Sequence, residues 1–188
     1  MRLAILALFV FTTQLHPAEL MPPFSPEKKV DMVKMVKQLV EDEYAEGNFG
    51  ISSFLCEHLE KNNIDDPRMK LIWATSQSRI GNFAKAEKLY LSVVQHNEAS
   101  NKQKSIACLY LSKQLSNNED KEKYADMAFK YSKNDLVVDM VSEIYKDLET
   151  QALSKLDEKK AEYYRNKHQE FIKKSTTRTG DEAKMGAF

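Results

Sequence analysis

The tripeptide Gly47-Asn48-Phe49 occurs again as Gly81-Asn82-Phe83, 34 residues later in the chain. Sequence typical of helices lies on both sides of each copy. A fixed period of this length indicates helical hairpins that stack on one another. A single hairpin cannot bury its apolar face alone, so neighbouring hairpins must pack together and leave their other faces available to partners. The repeat therefore predicts a protein that binds rather than one that catalyses.

The composition favours an all-helical chain. Of the 188 residues only five are Gly and five are Pro, while 30% are charged. Lys, Glu, Leu and Ala are prominent, and no long alternating run of β-branched residues predicts a strand. Basic and acidic residues both number 28, so the formal net charge is zero. Because nucleic-acid-binding domains are usually clearly basic, this balance argues against nucleic acid as a partner.

The N-terminal residues differ from the rest of the chain. One positive charge at Arg2 precedes an unbroken apolar run at 3–11. The run is too short to span a bilayer and predicts a secretory signal peptide over residues 1–18, followed by a linker over 19–25. Export to the periplasm or out of the cell follows, with no stable membrane insertion after the leader is removed. A buried N-terminal helix and an uncleaved anchor are the alternatives.

Residues 26–174 are predicted to form one helical repeat domain. Its clearest hairpin covers residues 67–100, and two helices with weaker patterns follow residue 136. The last residues, 175–188, are polar and predict a disordered tail.

Small and aromatic residues recur at regular positions of the clearest hairpin, namely Ala74, Gly81, Phe83, Ala86, Tyr90 and Val93. Within the 34-residue unit 67–100 they fall at positions 8, 15, 17, 20, 24 and 27. The segment resembles a tetratricopeptide repeat in these positions. Val93 is larger than the residue that the family usually has at position 27. Residues 33–66 and 101–135 keep part of the pattern. The resemblance implies an all-α solenoid of about three to four antiparallel helix hairpins with a C-terminal capping helix. It also implies a concave groove that binds protein segments.

In this family the groove is lined mainly by the first helix of each hairpin. The resemblance therefore implies a partner-binding groove formed by Lys34, Lys37, Tyr44, Arg68, Leu71, Thr75, Arg79, Lys102, Leu109 and Lys113. Six bases at these repeat positions face one acid, Glu41. A concave wall of one charge concentrates ligands of the opposite charge, so we expect an acidic or carboxylate-bearing segment of another protein. The alternative is that these are ordinary solvated side chains.

No catalytic motif, cofactor site or metal site is predicted, and the chain is not expected to be an enzyme. The histidines are scattered, without the spacing of a metal site. Cys56 and Cys108 fall on helices that are not adjacent, so two free, buried thiols are expected rather than a disulfide. Trp73 is expected in the core. A carboxylate clamp like that of chaperone-binding repeats is not expected, because Glu41 and Ile72 do not fit it.

The predicted function is that of an exported adaptor or assembly factor that holds a segment of another protein. A cytoplasmic secretion-type chaperone is the alternative among binding proteins, and the apolar leader argues against it. A structural protein that self-associates through its C-terminal helices into a homo-oligomer is a further alternative. An enzyme with a site in the groove is the alternative from a different class.

Overall fold

The computed structural model describes the backbone of residues 26–185 and the side chains of residues 30–173. Within these limits the protein has eight helices and no strand, which confirms the predicted all-α class. The helices are α1 (Pro26–Ala45), α2 (Phe49–Lys61), α3 (Pro67–Arg79), α4 (Phe83–Gln95), α5 (Asn101–Gln114), α6 (Asn118–Tyr131), α7 (Asp135–Ser154) and α8 (Glu158–Met185). The predicted signal peptide and linker lie outside the described residues.

The chain divides into two compact units, residues 1–38 and residues 39–188. The described part of the first unit is the beginning of α1. The end of α1 and all of α2 to α8 belong to the second unit. This boundary falls inside the segment 26–174 for which the sequence predicts one domain.

The last helix, α8, continues to Met185. Its backbone is therefore helical through most of the segment 175–188 that the sequence predicts as a disordered tail. The residues at its end include Glu, Ala, Lys and Met, which all favour helix, and no Pro interrupts them.

Each helix of the second unit from α2 onwards packs against the next helix in the chain. In addition, α3 contacts α5, and α5 contacts α7. The helix α5 thus touches α3, α4, α6 and α7. Alternate helices lie side by side, which is the contact pattern expected when one hairpin stacks on the next.

Local capping explains where several helices begin. The Asp66 carboxylate accepts backbone N–H bonds at the start of α3. Ser100 and Gln103 form a reciprocal capping box at the start of α5. The Asn117 and Asn134 side chains each accept one backbone N–H bond, at the start of α6 and of α7 respectively. These side chains satisfy N–H groups that have no partner inside the helix, which fixes the start of each helix independently of tertiary packing.

The two Gly-Asn-Phe turns have the same backbone geometry. Gly47 has φ +82° and Gly81 has φ +86°, both in the left-handed region that glycine adopts at little cost. In both copies the N–H of the following Asn donates to the carbonyl five residues earlier, at 2.8 Å. The sequence repeat is therefore also a structural repeat.

The core of the second unit contains large aromatic residues, among them Trp73 and Tyr90. Two aromatic residues of the repeat segments are exposed: Phe54 by 41% and Phe83 by 59%. Phe83 is the first residue of α4 and precedes the buried face of that helix, which begins at Ala86. The aromatic side chain of the repeated Gly-Asn-Phe turn is thus open to solvent in the second copy.

A polar layer lies between α2 and α3, and the sequence patterns did not predict it. Ser53 Oγ accepts hydrogen bonds from Trp73 Nε1 at 3.1 Å and from Gln77 Nε2 at 2.6 Å. Ser52 and Ser76 are also buried and lie within hydrogen-bond distance of each other, at 3.4 Å. Trp73 is a core residue, as predicted, and its ring nitrogen has a partner there.

Candidate binding face

The residues predicted to line the groove differ widely in exposure. Lys34 and Lys37 lie on the part of α1 that belongs to the first unit. The other eight lie in the second unit, where four are exposed, two are half-buried and two are buried. The exposed residues are Arg68, Arg79, Lys102 and Lys113. The half-buried residues are Tyr44 and Leu71, and the buried ones are Thr75 and Leu109.

Thr75 and Leu109 are only 4% and 3% exposed, so the prediction that they contact a partner is wrong. The Thr75 hydroxyl donates to the Leu71 carbonyl at 2.9 Å and accepts from the Tyr90 hydroxyl at 3.2 Å. Leu109 lies on α5, which has helices packed on both sides. Stacking of the hairpins covers both positions, although each falls at a groove position of the repeat.

Tyrosines surround Thr75, and one of them was missed by the sequence patterns. Tyr90 stacks on Tyr110, with ring centroids 5.1 Å apart and planes within 4°. Burial raises the pKa of Tyr44, with a smaller upward contribution from Tyr110, while Thr75 and Arg79 act in the opposite direction. Tyr44 and Tyr110 are half-buried, so both rings retain some accessible surface. Tyr110 directly follows Leu109 in the chain. If the repeat positions were counted one residue later, Tyr110 and not Leu109 would fall at the groove position.

One base of the predicted set is already neutralised within the chain. Arg68 Nη2 lies 2.8 Å from Glu41 Oε2, and this ion pair joins α3 to α1 within the second unit. The only acid of the predicted groove thus pairs with one of its bases. Arg79 lies 5.9 Å from the centre of the Phe49 ring. Lys113 forms no ion pair with any described residue.

The ends of α3 and α5 meet, since Gln114 Nε2 donates to Ser78 Oγ. This contact brings the neighbouring Arg79 and Lys113 to the same region. We use the term first-helix face for the exposed side of α3, α5 and α7 that carries Arg79, Lys113 and Glu143.

The first-helix face becomes acidic on α7, beyond the helices for which the sequence predicts a basic groove. Glu143 and Asp147 of α7 line a cleft with Lys113 of α5 and Lys121 of α6. The volume of the cleft is about 300 Å³. The acids at 139, 143 and 147 have the four-residue spacing of one helix face, a signal that the repeat pattern did not include.

The surroundings of the cysteines and histidines indicate structural roles. Cys56 and Cys108 are free and buried, as predicted, and burial raises the pKa of both thiols to about 12. His96 Nε2 lies 3.2 Å from Asp65 Oδ1, and His168 Nδ1 lies 2.9 Å from the Ser142 hydroxyl. Among the described residues no group of His, Cys, Asp and Glu has the arrangement of a metal site.

None of the described helices combines the length and the apolar character that a bilayer crossing requires.

Comparisons of the chain with models of protein families, with curated proteins and with solved structures find no match.

Proposed function

We propose that this protein is an exported adaptor or assembly factor of tetratricopeptide type that holds a segment of another protein against its first-helix face. The observation that carries the proposal is the side-by-side contact of α3 with α5 and of α5 with α7. In a stack of hairpins, such contacts align one helix of each hairpin along a continuous surface. The 34-residue period and the matching geometry of the two Gly-Asn-Phe turns support the same arrangement.

The chemistry of the face suits a polypeptide ligand. Arg79 and Lys113 are exposed cations, and Leu71 and Tyr110 are half-buried side chains that offer apolar and aromatic surface. Aromatic and arginine side chains contribute strongly to protein interfaces because they bury much area and form directed contacts. Nucleic acid is not proposed as a partner because the net charge is zero.

Export is part of the proposal and rests on the apolar run at 3–11 and the positive charge before it. No disulfide is required for the fold in an oxidising compartment, because both cysteines are buried and free.

The alternative of self-association would use the apolar side chains that α7, α8 and the turn between them leave exposed, namely Leu136, Leu153, Leu156 and Ile172. The helices α7 and α8 bury Tyr145 and Phe171 against each other, with ring centroids 5.4 Å apart. These two aromatic side chains are therefore not available to a second copy.

The test is affinity capture from native extract with the intact protein and with the variant Arg79→Glu/Lys113→Glu. The matched control is Lys88→Glu/Lys130→Glu, which makes the same charge change on the exposed sides of α4 and α6. Each reversal that faces a partner charge is expected to weaken binding by about tenfold. Circular dichroism must first show that all three proteins are equally helical.

A partner retained by the control and lost by the first-helix variant would support the proposal. Equal capture by all three proteins would place the interface elsewhere. Only self-capture would favour the structural alternative.

A further inference from the structure

The cleft at the junction of α5, α6 and α7 has a charged rim, and the apolar side chains beneath it are packed in the core. Ile144 and Leu148 are 4% and 0% exposed, and Ser112 beside them is 1% exposed. Lys113, Glu143 and Asp147 at the rim are exposed, and Lys121 is half-buried. Its volume, about 300 Å³, is at the lower end of the range for ligand pockets. A few side chains of a polypeptide fit such a space.

The four charges of the rim form no direct ion pairs with one another. No ion pair within 4.0 Å joins either lysine to either acid, and none of the four has another ionic partner in the described part of the chain. By contrast, acids elsewhere on the same unit are paired, such as Glu57 with Lys61 and Lys85, and Glu149 with Arg165. The cleft thus carries two cations and two anions without a direct ionic partner, and each can form an ion pair with a ligand.

We propose that this cleft binds a partner segment that carries an acidic and a basic side chain within a few residues of each other. The acidic side chain would pair with Lys113 and Lys121, the basic one with Glu143 and Asp147, and the intervening residues would cross the space between these two pairs. This inference rests on the proposed function and narrows it, because the sequence alone predicts an acidic or carboxylate-bearing segment and not one of mixed charge. Complementary charges of this kind fix the direction in which a segment lies and reject segments of one charge.

The test uses a displayed library of random 12-residue peptides, selected on the intact protein. Peptides that depend on the cleft are identified by loss of binding to a charge-inverted variant, Lys113→Glu/Lys121→Glu/Glu143→Lys/Asp147→Lys. This variant keeps the net charge of the protein and its number of each charge, so general electrostatic attraction does not change. A variant outside the cleft, Lys146→Glu on the exposed side of α7, serves as a control.

The expected peptides contain both charges, and their affinity falls at least about tenfold in the inverted variant. The decisive measurement exchanges the acidic and basic residues of a selected peptide. The exchanged peptide should bind the inverted variant with recovered affinity and should bind the original protein poorly. Recovery of binding also shows that the inverted variant is folded, because an unfolded protein could not regain affinity.

Three results would overturn the inference. Selected peptides of a single charge, or peptides that bind the inverted variant equally well, would contradict it while leaving a binding role for the first-helix face intact. Displacement of the peptides by free lysine or glutamate at millimolar concentration would assign the cleft to a small zwitterion instead. Failure to select any peptide would contradict both the inference and the proposed function.

Discussion

Asn82 Nδ2 donates a hydrogen bond of 2.8 Å to Gln77 Oε1, and this pair closes the turn between α3 and α4. The same bond occurs 34 residues earlier, where Asn48 Nδ2 donates to Glu43 Oε2, also at 2.8 Å. Gln77 and Glu43 are both buried. The middle residue of the repeated tripeptide therefore has a structural role, and its acceptor is an amide in one copy and a carboxylate in the other.

One acceptor is an amide and the other a carboxylate. Replacing each residue with the other type should therefore have opposite effects on the free energy of unfolding. Gln77→Glu should lower the free energy of unfolding by about 2 kcal/mol or more, since it removes the N–H donor to Ser53 and buries a carboxylate. Glu43→Gln should leave it unchanged or raise it by up to about 1 kcal/mol, since the amide still accepts from Asn48. Urea unfolding of both variants measures the difference, and equal losses of stability would contradict the argument.

The turn glycines predict a second pair of opposite effects. Gly81→Ala should destabilise by about 1 to 2 kcal/mol, because φ at this position is +86°. Gly50→Ala, inside α2, should instead stabilise by about 0.5 to 1 kcal/mol, because alanine is the better helix former. An added Cβ meets no atom within 4 Å at either position, so steric overlap does not contribute. Thermal unfolding followed by circular dichroism is the measurement, and a stabilising Gly81→Ala would refute the assigned turn geometry.

Ser53 should be more important for stability than its small size suggests. Ser53→Ala removes the acceptor of both Trp73 Nε1 and Gln77 Nε2 in a buried site, and we expect a loss of about 2 kcal/mol. Ser116→Ala is the control, because Ser116 is exposed in the turn between α5 and α6 and should change stability by less than about 0.5 kcal/mol. A shift of the Trp73 fluorescence emission in the Ser53 variant alone would show that the change in stability arises next to the Trp73 ring. Equal stability of the two variants would contradict the role of Ser53.

Alkaline pH should destabilise the protein through its buried thiols. Burial raises the pKa of Cys56 and Cys108 from 9.0 to about 12. Below pH 9 the folded and the unfolded protein both keep the two thiol protons. Between pH 9 and 12 the unfolded chain releases them and the folded protein does not. Stability therefore falls with rising pH by up to about 1.4 kcal/mol per pH unit for each thiol. Urea unfolding at pH 8 and pH 10.5 measures the slope.

The control for the thiols is the variant Cys56→Ala/Cys108→Ala, which should lose less stability over the same pH interval. Burial also raises the pKa of Tyr90 and Tyr145, so part of the alkaline loss will remain in that variant. An unchanged slope would show that the thiols do not contribute.

Features set by residues close in sequence were predictable. The turn after α3 follows from Gly81, and the turn after α1 follows from Gly47, because each depends on bonds within a few residues. Partner contacts were less predictable. Leu109 falls at a groove position by count and is buried, while Tyr110 beside it keeps accessible surface. A register error of one residue turns a helix position by about 100°, which is enough to exchange an accessible side chain for a core one.

The sequence by itself determined the helical class, the hairpin turns and the neutral overall charge, because helix formation and capping involve groups at most four or five residues apart. Only the tertiary structure decided that Thr75 is buried, that Arg68 pairs with Glu41, and that the lysines of α5 and α6 meet the acids of α7. Burial and charge pairing depend on which helices touch. The charged residues concerned lie 22 to 34 positions apart in the chain, beyond the range of any local pattern.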